Sequence, residues 1–294
     1  MTRIGTMFVL VAALAAAEPW NLAVDANLTL NQNAYSNWEG GAAGLLAYTI
    51  NTNSLAEKQL NPKMNSRNTL KLAFGQNVTQ DTSGAWGAFA KSTDEINFES
   101  VLRFTMGWVV DPFASAQVQS QFWDNSDVTL TRYFNPLDLN EGLGVARRIV
   151  KHDKTELVSR LGFGVKQRFD RQALDTIRAY EPPFETVRRN KFSNYGGVTF
   201  ATDFTTPLAQ EKISYTSKLT LFQALFFSGA SKLAGQPNAD YWKALDVGWE
   251  NTFTAGITKV LMVNLAAQVL YDKEINTKAR LKETLALGLT YKFI

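Results

Sequence analysis

The chain has 294 residues, 45% of them hydrophobic, and sets 30 Lys and Arg against 27 Asp and Glu. That size suits one large domain or two small ones, and a formal net charge of +3 is too slight an excess to mark a nucleic-acid binder. Cysteine is absent, which excludes disulfides, thiol chemistry, cysteine-rich zinc sites and a lipid anchor on an N-terminal cysteine.

Arg3 precedes an apolar run from Met7 to Ala17, and the small residues Ala15 and Ala17 fit a cleavage site before Glu18. The run is too short to anchor in a bilayer, so residues 1–17 are expected to be a signal peptide and 18–294 the exported domain. No later stretch approaches the ~18 apolar residues of a spanning helix.

From there, segment after segment alternates. "NLAVDANLTLN" places Leu22, Val24, Ala26, Leu28 and Leu30 on one side and Asp25, Asn27 and Thr29 on the other. "TLKLAFG" sets Leu70, Leu72 and Phe74 against Lys71, and "EINFESVLRF" sets Ile96, Phe98, Leu102 and Phe104 against Asn97, Glu99 and Arg103. "ALDVGWENTF" sets Leu245, Val247, Trp249 and Phe253 against Asp246, Glu250 and Thr252. The chain ends on Leu285, Leu287, Leu289, Tyr291 and Phe293 alternating with small or polar residues. A period of two is the signature of strands with one apolar face. About twelve such segments occur, near residues 20–31, 42–52, 68–76, 95–109, 113–123, 138–150, 155–168, 195–205, 212–223, 243–257, 260–271 and 280–293.

The connections carry separate information. With the start of the first strand called the bottom, 110–112, 151–154, 206–211 and 258–259 are short bottom connections. The top connections 32–41, 77–94, 124–137, 169–194, 224–242 and 272–279 are long and polar or glycine-rich. The bottom connection 53–67 is too long for this pattern.

Alternation alone also fits a soluble sandwich or a lipocalin-like barrel with its apolar face inside. The other face, however, carries Lys71, Glu99, Arg103, Arg160, Lys166, Asp203, Lys218, Asp246, Glu250 and Lys282, too polar a set for a dry core. Aromatics gather near strand ends, with Trp20, Trp108, Phe204, Tyr215, Tyr291 and Phe293 at the bottom and Phe74, Tyr195 and Tyr271 near the top, as interfacial girdles do. The expected fold is all-β, an antiparallel up-and-down transmembrane barrel of about twelve strands in a bacterial outer membrane, with the ten charges lining the lumen. Closure by pairing the first and last strands explains a chain that ends in a strand.

Chemistry-bearing motifs are sparse. The lone histidine, His152 beside Asp153, falls in a tight bottom turn. "DNSD" at 124–127 spaces oxygens as calcium loops do, but polar loops are commonly of this composition. Arg171, Arg178, Arg188, Arg189 and Lys191 in one top loop suit lipopolysaccharide phosphates, diluted by Asp170, Asp175, Glu181 and Glu185. Leu225, Phe226 and Phe227 make another top connection unusually apolar, as an extension of the preceding strand would. No catalytic residue, cofactor, metal or nucleic acid is expected. The functional expectation is a narrow passive channel or small-solute transporter, with a non-conducting structural, adhesive or envelope barrel as the alternative. Its partners would be outer-membrane lipids and lipopolysaccharide; the sequence names no solute.

Two resemblances add to this. The terminal alternation Leu285, Leu287, Leu289, Tyr291 and Phe293, with Ile294 after it, resembles the signal read by the outer-membrane barrel-assembly machinery, which implies that machinery as a partner in biogenesis. "NWEGG" (37–41), "NTLKLAFG" (68–75), "KSTDEI" (91–96), "DVGWENTFTAGITK" (246–259), "YDKE" (271–274) and the closing segment together resemble an exported outer-membrane family catalogued as a domain of unknown function. Ser66 stands where that family commonly has Trp. The resemblance spans nearly all of the exported chain and implies a barrel with no known activity.

Overall fold

The computed structural model describes residues 20–33, 44–81, 83–127, 129–177, 185–258 and 261–292. The proposed signal peptide, the "NWEGG" segment and Phe293 lie outside them. Strands dominate: β1 (Asn21–Asn33), β2 (Leu45–Asn61), β3 (Met64–Thr79), β4 (Ala90–Phe104), β5 (Asp111–Ser120), the two-residue pair β6 (Trp123–Asp124) and β7 (Arg132–Tyr133), β8 (Leu137–His152), β9 (Thr155–Ile177), β10 (Glu185–Leu208), β11 (Ile213–Phe227), β12 (Leu245–Gly256), β13 (Leu261–Tyr271) and β14 (Arg280–Lys292). All but β6 and β7 form one closed barrel of twelve antiparallel strands, each beside its neighbour in sequence, with β14 returning to β1.

The register sorts the side chains. Across β3, β4 and β5, Lys71 faces Asn97 and Asn97 faces Gln119 on the inner side, while Leu70, Phe98 and Val118 form a row on the outer side. The outer surface is apolar: Leu28, Ile50, Phe98, Leu161, Phe163, Val198, Trp249 and Phe253 are all exposed. Buried apolar side chains are few; among the described residues they are Val78, Phe113, Ala146, Ala173, Phe222 and Ala224. A soluble domain hides its apolar side chains, and this barrel displays them.

The long bottom connection expected at 53–67 is corrected. β2 runs to Asn61 and β3 starts at Met64, so the turn between them is two residues. The alternation fades there because Ser54, Ala56 and Lys58 occupy the outward positions of lower β2, opposite Leu70, Asn68 and Ser66. Among the described residues the bottom connections are short, and the segment 105–110 is a turn rather than strand, which leaves Trp108 exposed outside β4. At the other end, the expected loop 169–194 is largely hairpin: β9 and β10 pair from Asp170 to Ile177 and from Glu185 to Lys191, above the last β8 partner, Leu137↔Phe169. β11 extends through Phe227, and a short helix, Ala230–Leu233, follows.

Two aromatic groups sit near the barrel ends. On the outer wall at the bottom, Tyr215 stacks on Phe253 at 4.5 Å and meets Phe204 edge-on at 5.9 Å, a girdle segment across three strands. Tyr195 does not join an outer girdle at the top. It lies opposite Lys166 on the inner face, stacks on Phe227 at 4.4 Å and donates its hydroxyl to Glu274.

Candidate functional site

The interior is a cavity of about 1010 Å³. Of the ten charges assigned to the inner face from sequence, Lys71, Glu99, Arg103, Arg160, Lys166, Asp203, Lys218, Asp246 and Glu250 line it. Lys282 does not. It shares the inner face with Gln268 by register but stands exposed on upper β14.

These charges meet across the bore. Lys71 on β3 donates to Glu250 on β12 at 3.2 Å, and Lys166 on β9 donates to Asp246 on β12 at 2.9 Å. Glu99 on β4 is the hub: it accepts from Arg160 on β9 at 3.0 Å and from Lys218 on β11 at 2.6 Å. The second amino group of Arg160 reaches Asp203 on β10 at 2.9 Å. Arg160 is among the few buried charged residues, and its Nε finds no acceptor among the described residues. A guanidinium offers donors in a fixed fork, so one residue can hold two carboxylates that come from different walls.

Sequence reasoning missed two rings inside the bore, Phe113 and Phe222, exposed by only 4% and 3%. Arg160 approaches the Phe113 ring at 6.0 Å, and Lys166 sits 3.9 Å from the centre of Phe222. A signal was present for Phe113. In "DPFASAQVQS" it shares its parity with Ser115, Gln117 and Gln119, while Ala114, Ala116 and Val118 take the other side. Near the bottom three further ion pairs ring the cavity: Arg67–Glu57 at 3.6 Å, Arg103–Asp111 at 3.8 Å and Arg148–Glu156 at 2.7 Å. The interior is therefore polar but crossed by ion pairs and narrowed by two phenyl groups.

The top rim carries a second polar cluster, in the connection between β5 and β8. Arg132 donates to Asp170 at 3.1 Å, to the Arg171 carbonyl at 2.9 Å and to Ser126 at 2.8 Å, and pairs with Asp124. Asn135, fully buried, donates to Asp124 and Asp170 and accepts from the Arg171 N–H. Arg188 holds Asp127 through two bonds, at 2.9 and 2.8 Å. The "DNSD" carboxylates are thus engaged by arginines, and this ties the loop to the base of the β9–β10 hairpin. The amides of Phe122 and Trp123 donate to Asp94, which docks Trp123 at 4.7 Å from Phe74 on the outer wall. His152 is the solvated last residue of β8, beside the turn at 153–154 and 3.4 Å from Asp153.

The Arg132→Ala variant should free this loop. It leaves Asp124 and Asp170 without their shared cation, a loss of roughly 3–5 kcal/mol for a buried pair broken on one side. Protease nicking within 121–136 should accelerate while the barrel itself persists. Acid should undo the docking as well. The Thr129 hydroxyl and N–H, and then Arg188, hold the Asp127 carboxyl down to about 2 from its usual 3.8. A lowered folded pKa contributes stability above the unfolded value, so the contribution is complete above pH 3.8 and is lost as pH falls toward 2. A spin label at Asn125 should remain immobile down to about pH 4 and loosen below it.

Among known families, residues 30–125, which include all of β2 to β5, match the one described as a protein of unknown function (DUF3078). No curated protein matches the chain. Among solved structures, the COG4313 outer membrane channel from Pseudomonas putida F1 is similar at 13% identity, with 94% of this chain and 96% of that chain covered and a TM-score of 0.41. The translocator domain of the autotransporter NalP from Neisseria meningitidis is similar at 11% identity, with 97% and 93% covered and a TM-score of 0.39. The transport unit of the autotransporter AIDA-I from Escherichia coli is similar at 12% identity, with 95% and 92% covered and a TM-score of 0.34. These are likenesses of chain trace; what this barrel does rests on its own residues.

Proposed function

We propose that the chain is an integral outer-membrane barrel forming a narrow, charge-gated passage for small solutes, with no catalytic role. One observation carries this reading: the barrel is inverted, apolar outside and ionic inside. A closed barrel leaves no ladder edge to pair, so it can cross hydrocarbon, and its inner polar groups then require water. Twelve strands enclose a bore that side chains can nearly fill, which suits ions and small molecules better than a general porin's cargo. The pairs Lys71–Glu250, Lys166–Asp246 and Glu99 with Arg160 and Lys218 are the proposed gate.

The same pairs support the second reading, a non-conducting envelope barrel, if they never part. Planar-bilayer recording separates the two. The expected result is a small, steady or flickering conductance well below that of a general porin; a silent bilayer would favour the structural role. In fractionation the chain should partition with the outer membrane and migrate faster on gels unheated than boiled. Release by osmotic shock would sink the membrane reading.

Short turns are proposed to face the periplasm and the long connections the cell exterior, beside lipopolysaccharide. An epitope inserted at His152 should accordingly be reachable only after the outer membrane is broken. The assembly signal at Leu285, Leu287, Leu289, Tyr291 and Phe293 is proposed to recruit the barrel-assembly machinery. Leu285 and Leu287 are exposed on the outer wall, where such a signal could be read.

A further inference from the structure

The ladder itself builds a cation site inside the bore. Phe222 on β11 and Asp246 on β12 are direct cross-strand partners on the inner face, so a buried ring and a carboxylate stand side by side. The ammonium of Lys166, reaching in from β9, sits 3.9 Å from the ring centre and 2.9 Å from the carboxylate. One carboxylate and one aromatic face suit an ammonium ion, which has a compact charge and three donors. They suit a hard metal cation poorly, since it takes several oxygen ligands.

The same combination recurs at the mouth. Lys243 lies 5.5 Å from the centre of the Trp242 ring and 2.6 Å from Asp240, and Trp242 lines the cavity. Two more carboxylates, Asp272 and Glu274, belong to the upper lining. Burial pushes the Glu274 carboxyl up, against the bond from Tyr195, and the charges of Asp272 and Asp246 push the same way. The other cations of the upper lining, among the described residues, are Arg168, which pairs with Asp138 at 3.6 Å, and Arg280 on β14. An anion approaching Lys166 therefore meets three carboxylates around it, whereas a cation is drawn in. Lower on β12, past the bare inward Gly248, Glu250 holds a second ammonium, that of Lys71 at 3.2 Å.

The side chains of Lys166 and Asp246 are 36% and 29% exposed, so water reaches the pair and the ammonium can swing away. Arg160, only 9% exposed and shared by Glu99 and Asp203, is fixed by comparison. Lys166 is placed as a tethered stand-in for a mobile ion.

We propose that Asp246 and the face of Phe222 form a primary-ammonium site of the passage, with Lys166 as its tethered occupant, and that the solutes it selects are aliphatic amines. This rests on the reading of the barrel as a passage and names its substrate class. An entering amine displaces the Lys166 ammonium, takes up Asp246 and the ring, and leaves when the tether returns. Glu250 with Lys71 is the next exchange point down the same wall.

The test is amine rescue on the full exported chain in detergent. Lys166→Met removes the tethered ion and keeps most of its stem. Butylammonium should then raise the temperature at which the unheated gel form is lost, at concentrations about tenfold or more below those that give the same shift in wild type, because a charge-assisted bond is regained. Sodium, and tetramethylammonium, an isomer of butylammonium without an N–H, should not do so at matched ionic strength. Adding Asp246→Asn should abolish the rescue, and adding Phe222→Leu should weaken it about threefold or more. Equal rescue by all three cations would mean screening only, and no rescue would mean a merely structural pair; either result overturns the site. Where Lys166→Met does not fold, wild type in planar bilayers decides. Butylammonium should reduce the potassium current at concentrations about tenfold below those of tetramethylammonium. A conducting barrel that treats the two isomers alike overturns the ammonium site and leaves the passage standing. A silent bilayer with a folded gel band refutes the passage, and amines as its solutes with it, while the rescue still reports on the binding site by itself.

Discussion

Replacing Glu99, Asp246 and Glu250 together by Ala is expected to raise single-channel conductance several-fold and to turn selectivity toward anions. The three carboxylates are the acidic ends of the pairs that cross the bore, to Lys71 at 3.2 Å, Lys166 at 2.9 Å, Arg160 at 3.0 Å and Lys218 at 2.6 Å. Without them three negative charges leave the passage. Lys71, Lys166 and Lys218 lose their only carboxylate partners among the described residues, while Arg160 keeps Asp203 at 2.9 Å. Released lysines swing toward the walls, which widens the bore, and an unbalanced cationic lining concentrates anions.

Burial decides how the three sites divide the effect. Lys71 and Glu250 have side chains 45% and 39% exposed, so water screens this pair and its loss costs about 0–1 kcal/mol of stability. Glu99 is more enclosed and holds two cations. Glu99→Ala alone should therefore lower the temperature at which the unheated gel form is lost, whereas Glu250→Ala should change conductance with little effect on that temperature. Unchanged conductance and reversal potential in the triple variant would place these residues outside the ion path.

The distinction between face and partner explains what could be read in the sequence. Period-two alternation fixes which wall face a side chain takes, and it assigned Lys71, Glu99 and Asp246 to the inner one. It gives neither height nor azimuth. Nothing local tells Lys71 that its partner is Glu250, 179 positions away. That pairing depends on the strand stagger, which bulges such as those at Gly75/Gln76 and Gly196/Gly197 reset. The pattern also fails wherever the wall leaves the apolar zone. Lower β2, with Ser54, Ala56 and Lys58 outward, and the hairpin above Phe169 are strands without an apolar stripe, so they read as loops. The rim cluster around Arg132 and Asn135 was illegible for a different reason. Its members come from 124–135 and 170–171, and only the tertiary fold brings them together.

Placing Val at Gly144 should abolish the folded barrel, whereas Ala at Gly164 should leave it intact. Both glycines face inward in the motifs "EGLGVA" and "LGFGVK", and the register pairs Gly142 with Gly164 and Gly144 with Gly162. A Cβ at Gly144 would lie 2.2 Å from the Leu161 carbonyl oxygen, and one at Gly162 would lie 2.2 Å from that of Leu143. Both obstacles are main chain, so no rotamer change relieves them. The wall itself would have to move, and the β8–β9 ladder with it. Overpacking typically costs about 1–3 kcal/mol where side chains can yield, and more is expected where they cannot. Glycines allow this close approach of two strands and so set the local curvature of the wall. At Gly164 the nearest atom to an added Cβ is 3.4 Å away, ordinary contact that a methyl group can accept. Gly142 is intermediate, since the atom in the way, 2.8 Å off, is the Ser115 hydroxyl and can rotate aside. The measurement is the unheated gel band after outer-membrane extraction, with degradation of unassembled chain as the companion signal. The ordering expected is Gly164→Ala near wild type, Gly142→Ala reduced and Gly144→Val absent. A Gly144→Val protein that migrates as a folded barrel and conducts normally would mean that β8 and β9 do not approach this closely, and the curvature assigned to the glycine pair would have to come from elsewhere in the wall.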